Sequence, residues 1–115
     1  MKATIYHNPK CSTSRTALEI IRAKGIEPTV IDYLKTPLTK AELKALIAKL
    51  GVTAKDVVRW KEKDIVVEAG INEDSSEAKL LEAMAKYPIL VNRPIVVTEK
   101  GAKLARPSEA VGEIL

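Results

Sequence analysis

The 115 residues hold one cysteine (Cys11), one histidine (His7) and no phenylalanine. A lone cysteine excludes an internal disulfide and a multi-cysteine metal site, and a lone histidine excludes a histidine metal cluster, so no metal is expected. Aromatic residues are only 3% of the chain (Tyr6, Tyr33, Trp60 and Tyr87), which leaves no platform on which bases would stack. The net charge of +4 is modest. Fourteen lysines and five arginines are scattered among fifteen acids with no basic tail, so no nucleic-acid partner is expected. Apolar runs fall well short of the roughly 18–20 residues a membrane span needs, and Met1–His7 turns polar too early for a secretory leader. The expectation is one soluble cytoplasmic domain, residues 1–115, with no membrane partner. With 46% apolar and 30% charged residues, the chain can bury a core.

Ala3–His7 alternates apolar and polar positions and predicts a strand. Asn8-Pro9-Lys10 predicts a turn, with Ser12, Thr13 or Ser14 as cap of a helix carrying Ala17, Leu18, Ile20 and Ile21 on one face and ending at Gly25. Pro28–Leu34 predicts a second strand, completing a βαβ unit with parallel strands. A helical block follows, at about 38–87. Thr39 and Glu42 form a capping box before a helix closed by Gly51, and Thr53 with Asp56 opens a short helix toward Arg59. Asp74 and Glu77 suggest another capping box, ahead of a helix with Ala78, Leu81 and Ala85 on its face and Pro88 as its stop. Residues 60–72 show no assignable pattern. The chain then returns to β: Ile89–Val91, Ile95–Thr98, a turn at Glu99-Lys100-Gly101, and Ala102–Ala105 as a hairpin partner. Ser108 is the expected cap of a final helix to Leu115. The class is α/β, ordered βαβ, helical insertion, ββα.

Cys11 falls where the first strand hands over to the first helix. A thiol there meets the positive end of the helix dipole and unpaired backbone N–H groups, both of which favour the thiolate. Its polar neighbours Lys10, Ser12, Thr13 and Ser14 argue against an inert, buried thiol. His7 and Arg15, four residues to either side, are candidates for lowering its pKa further. Cys11-Ser12-Thr13-Ser14 is a Cys-x-x-Cys redox motif with serine in place of the second thiol, so disulfide chemistry here needs an external thiol such as glutathione or a glutaredoxin-type partner. A phosphatase loop needs arginine six residues after the cysteine, where this chain has Ala17. Arg59, Arg93 and Arg106 are candidates for gripping a tetrahedral oxyanion, because guanidinium offers planar multidentate donors that lysine lacks. Spacing leaves this open against three separate surface ion pairs. Pro94, opening a strand after Arg93, is a candidate cis proline.

Three segments, Tyr6–Arg15 (Tyr-His-Asn-Pro-Lys-Cys-Ser-Thr-Ser-Arg), Pro88–Val97 (Pro-Ile-Leu-Val-Asn-Arg-Pro-Ile-Val-Val) and Ala105–Glu109 (Ala-Arg-Pro-Ser-Glu), closely resemble the glutaredoxin-linked arsenate reductase (ArsC) family in order and spacing. The resemblance implies a thioredoxin-like fold with a helical insertion and a cis Pro94. It implies Cys11 as nucleophile with His7 assisting its ionisation, and Arg59, Arg93 and Arg106 as the anion site. It further implies arsenate as substrate, glutathione as co-substrate, glutaredoxin as partner and no bound cofactor. Two alternatives share the fold. A glutathione-dependent thiol-disulfide oxidoreductase needs Cys11 but not the arginines. A non-enzymatic Spx-like regulator of RNA polymerase typically carries the paired Cys-x-x-Cys switch, which Ser14 breaks here.

Overall fold

The computed structural model describes residues 1–115. Four strands form one mixed sheet: β1 (Ala3–His7), β2 (Thr29–Asp32), β3 (Ile95–Thr98) and β4 (Gly101–Leu104), in the order β2-β1-β3-β4. β1 runs parallel to β2, with Ile5 opposite Val30, and antiparallel to β3, with Ile5 opposite Val96. β3 and β4 form the antiparallel hairpin. The alternation read in the sequence is realised in β1: Ala3, Ile5 and His7 are buried, and Thr4 and Tyr6 are half-buried. One face of the sheet is covered by helix α1 (Ser12–Ala23) and by a C-terminal 3₁₀ helix (Ser108–Ile114). Ala3, Ile5 and Val96 meet Ala17, Leu18 and Ile21 of α1 and Val111 and Ile114 of the terminal segment there, in one apolar core. The strand–helix–parallel strand followed by an antiparallel hairpin is the thioredoxin-like arrangement the resemblance implies.

The chain forms two compact units, Met1–Thr36 with Arg93–Leu115, and Pro37–Asn92. The second is helical: α2 (Lys40–Leu50), α3 (Ala54–Val57), α4 (Lys63–Ala69), α5 (Glu77–Lys86) and a 3₁₀ turn (Pro88–Leu90). Both capping boxes expected at α2 and α3 form, Thr39 with Glu42 and Thr53 with Asp56, and Gly51 ends α2 in the left-handed conformation that glycine adopts without a Cβ clash. α5 packs against α2, α3 and the 3₁₀ turn, and buries Leu80, Leu81, Ala83 and Met84.

The structure corrects several expectations. α5 is capped by Ser76, whose hydroxyl accepts from the Lys79 N–H (3.2 Å), not by Asp74. The Glu77 carboxylate accepts instead from the Ala54 N–H (2.8 Å), at the start of α3. The buried face of α5 is the one with large side chains, so Ala78 is exposed and Ala85 only half-buried. Residues 60–72 contain α4, which buries none of its side chains and therefore lacks the apolar periodicity that marks a helix. Ile89–Val91 is not a strand: proline starts a 3₁₀ turn there, and Val91 makes one isolated bridge to Val58. β2 stops at Asp32, whose side chain accepts from the Leu34 N–H (3.1 Å) and turns the chain. The return strand is Gly101–Leu104, one residue earlier than expected. The final segment is a 3₁₀ helix with Pro107 at its cap and Ser108 inside it. No helix is long and apolar enough to cross a membrane.

Candidate active site

The loop after β1 is built by its own backbone. The Cys11 N–H donates to the Asn8 carbonyl (3.0 Å), and the Lys10 N–H donates to the Asn8 side-chain oxygen (3.0 Å). Arg15 reaches back from α1 to donate to the Pro9 carbonyl (2.9 Å), so its guanidinium braces the loop. These bonds leave Cys11 itself at the N-cap of α1, extended (φ −94°, ψ 121°), with its carbonyl accepting the first helical bond from Arg15 (3.0 Å). The expected caps Ser12, Thr13 and Ser14 are inside the helix. Cys11 makes no side-chain capping bond, and the backbone N–H of Ser14, the third residue of the helix, favours its thiolate.

Two guanidinium groups reach the same sulfur from the adjoining ends of β3 and β4, at the same end of the sheet. Arg93 and Arg106 each precede a cis proline, Pro94 at the start of β3 and Pro107 after β4. The first is the candidate read in the sequence; the second carries no such expectation. Arg106 Nη1 lies 3.8 Å from Cys11 Sγ and donates to the Arg93 carbonyl (2.8 Å), which ties the two arginine segments together. The Arg93 side chain is buried, and its guanidinium also lowers the thiol's pKa. Burial pushes the half-buried thiol up, but the Ser14 N–H and the guanidinium groups of Arg106 and Arg93 outweigh it and hold the pKa at about 7. Alkylation of Cys11 by iodoacetamide is therefore expected to rise only about ten-fold between pH 6 and 8 and then level off. An ordinary thiol with a midpoint near 8.5 would rise close to a hundred-fold over that interval, still climbing at its end.

His7 takes a different place from the one expected. It is buried at the end of β1, with Nδ1 2.6 Å from the Ser14 hydroxyl. Burial lowers its pKa, Asp32 opposes that shift, and Arg22 and Arg15 add to it, so the ring is neutral at neutral pH. The groups that lower the thiol's pKa are the Ser14 N–H and the guanidinium groups of Arg106 and Arg93. Arg15 is likewise absent from that set. The residue that sequence reasoning undervalues is Ser14. Its signal is nonetheless present: with Cys11 as N-cap, position 14 is the one whose N–H a cap side chain receives.

Arg59 belongs to the Pro37–Asn92 unit. It follows α3, with its N–H on the Leu90 carbonyl (2.7 Å), Nη1 on the Asn92 side-chain oxygen (3.2 Å) and Nε 3.5 Å from Glu62. Its side chain is largely buried and so held in place. Cys11, His7, Ser14, Arg93 and Arg106 are all in the other unit.

A cysteine ionised near neutral pH between a helix N-terminus and two guanidinium groups can attack a bound oxyanion or a disulfide. Comparison with known proteins narrows this. A family model described as the ArsC family matches residues 6–114. An arsenate reductase of Rhizobium meliloti (strain 1021) is 51% identical over 116 residues, covering 100% of this chain and 82% of that protein. An arsenate reductase of Escherichia coli (strain K12) is 51% identical over 113 residues, covering 97% of this chain and 79% of that protein. Among solved structures, an arsenate reductase from Vibrio cholerae superposes with a TM-score of 0.91 at 43% identity, covering 100% of this chain and 98% of that one.

Proposed function

This chain belongs to the ArsC family, and on that premise we propose that it is an arsenate reductase in which Cys11 is the nucleophile and Arg93 and Arg106 hold the oxyanion. The observation that carries the proposal is the convergence of both guanidinium groups on a sulfur ionised at about pH 7. Arsenate is a tetrahedral anion, so the donors that stabilise the thiolate are suited to bind it, neutralise its charge and bring arsenic to the sulfur. Thiolate attack forms a sulfur–arsenic bond, and an arsenate oxygen leaves as water after protonation. Arsenic then takes two electrons from two thiols: arsenate and two thiols give arsenite, one disulfide and water. The chain has one thiol, so the second comes from outside. Glutathione fits that need, with glutaredoxin completing the reduction and no bound cofactor. The cytoplasm, which keeps such thiols reduced, suits the reaction. Arg59 enters through the family pattern, and its alanine variant tests it in the same assay.

The test is NADPH oxidation by the purified protein with glutathione, glutathione reductase and glutaredoxin, started by arsenate. Consumption that depends on arsenate, with phosphate as a competitive inhibitor, is the expected result, because phosphate matches arsenate in shape and charge but is not reducible by thiols. A lack of arsenate-dependent consumption, in an assay that responds to a known arsenate reductase, overturns the proposal in favour of a thiol-disulfide oxidoreductase acting through Cys11.

A further inference from the structure

Two short segments of the Pro37–Asn92 unit pair side by side, one after α3 and one after the 3₁₀ turn. Val58 bridges Val91, the Arg59 N–H donates to the Leu90 carbonyl (2.7 Å), and the Asn92 N–H donates to the Val57 carbonyl (2.9 Å). These are backbone bonds, which any residue except proline could make at position 92. The side chain of Asn92 does something more specific: its Oδ1 accepts from Nη1 of Arg59 (3.2 Å). Elsewhere on the same guanidinium, Nε is buried without a hydrogen bond, and the Glu62 carboxylate stands 3.5 Å away. We propose that Asn92 is the positioning residue of Arg59. By accepting from Nη1 it stops the guanidinium turning about its Cδ–Nε bond, and the remaining donors are presented to an oxyanion in one fixed plane. This deepens the reductase proposal above and rests on its placing of Arg59 among the residues that bind the oxyanion.

The chemistry of the two neighbours fits a division of labour. A guanidinium is a rigid planar fork of N–H donors, so fixing one of its nitrogens orients the whole group. Nη2 takes part in neither the Asn92 nor the Glu62 contact. An arginine that rotates freely loses that freedom when it binds an anion, and affinity falls accordingly, whereas one held beforehand is spared the loss. Glu62 supplies the counter-charge that a largely buried guanidinium needs, without a hydrogen bond to Nε. Asn92 supplies the orientation, through an amide oxygen that accepts without adding charge. A carboxylate at position 92 would instead set a second negative charge on Arg59, against any oxyanion bound there. Asn92 is also the residue before Arg93, so the acceptor for one candidate arginine and a second candidate arginine are neighbours in the chain.

Two measurements test the proposal, and neither needs arsenate. The first uses the unmodified protein without phosphate: in ¹⁵N–¹H spectra the Nη hydrogens of Arg59, assigned by their loss in Arg59→Ala, should be resolved from one another. Averaged Nη signals, those of a guanidinium that rotates freely, overturn the proposal. The second takes inorganic phosphate as the probe and reads its protection of Cys11 against iodoacetamide. It compares the native protein, Asn92→Leu, Arg59→Ala and the double variant. Asn92→Leu should weaken phosphate binding about five-fold, the scale of immobilising one long side chain. The double variant should bind no more weakly than Arg59→Ala alone. An unchanged affinity in Asn92→Leu, or losses that multiply in the double variant, means that Asn92 does not act through Arg59, and the proposal fails. Should Asn92→Leu not fold, the native spectrum decides alone. Native phosphate protection in Arg59→Ala takes Arg59 out of the oxyanion site and overturns the proposal with it. The reductase reading fails separately: phosphate binding that follows the expected cycle, in a protein without arsenate-dependent NADPH oxidation, overturns that reading and leaves Asn92 positioning Arg59.

Discussion

Cys11→Ser is expected to reduce arsenate-dependent turnover to background, a loss of at least about three orders of magnitude, without loss of fold. The two halves of this expectation have separate causes. A serine hydroxyl stays protonated at neutral pH even beside two guanidinium groups, and no other thiol exists in the chain to replace the sulfur. The fold does not depend on that sulfur. As a thiol Cys11 makes no side-chain capping bond, its side chain is only half-buried, and the loop is held by the backbone bonds of Asn8 and Cys11 and by Arg15 on Pro9. Serine is among the preferred N-cap residues, and its oxygen can accept from the Ser14 N–H at the third position of the helix. Stability should be unchanged or higher by up to about 1 kcal/mol. Thermal unfolding followed by circular dichroism checks the second half, and the coupled assay the first. Residual arsenate reduction above background in a folded Cys11→Ser protein would remove Cys11 from the role of nucleophile.

What makes this site legible in the sequence is mostly local. The alternation in Ala3–His7, the turn at Asn8-Pro9-Lys10 and the helical spacing after it are enough to put Cys11 at a helix N-terminus, and the fold has it there. Arg93 and Arg106 stand out by their place beside prolines at strand ends, and both reach the sulfur. The surroundings of His7 are not legible, because sequence distance says nothing about burial: four residues from Cys11 suggest a neighbour of the sulfur, and the ring is buried with Nδ1 on the Ser14 hydroxyl, where burial lowers its pKa. Ser14 reads as a missing thiol, which draws attention away from its backbone N–H. In the helical unit, short-range capping rules work where one residue pair competes alone, as at Thr39 and Thr53. They fail where Asp74 and Ser76 both qualify, because the winner depends on Glu77 reaching Ala54, a partner twenty-three residues away.

The arginines carry the second large effect. Arg93→Ala and Arg106→Ala should each lower kcat/KM for arsenate by about 10²–10³, the range found when a donor to a developing or bound oxyanion is removed. Each loss has two sources that can be separated. The first is anion binding, read as a weakened competitive inhibition by phosphate. The second is the thiolate itself: both guanidinium groups help hold Cys11 at about 7, so each variant should move the alkylation midpoint upward, toward the value burial alone would favour. Arg106→Lys should not restore activity, because one guanidinium nitrogen lies 3.8 Å from Sγ and donates to the Arg93 carbonyl at 2.8 Å within a planar fork. An ammonium is a point charge on a flexible stem and reproduces neither that brace nor bidentate contact with an oxyanion. Arg93 is the more buried of the two, so its removal also leaves a void beside the nucleophile, and its alanine variant should be the less stable. Thiol-disulfide exchange by Cys11 needs the thiolate but no anion site. A variant at Arg93 or Arg106 that keeps full arsenate reduction while its alkylation midpoint rises would show that the arginines tune the sulfur only, and the oxyanion site would have to be sought elsewhere.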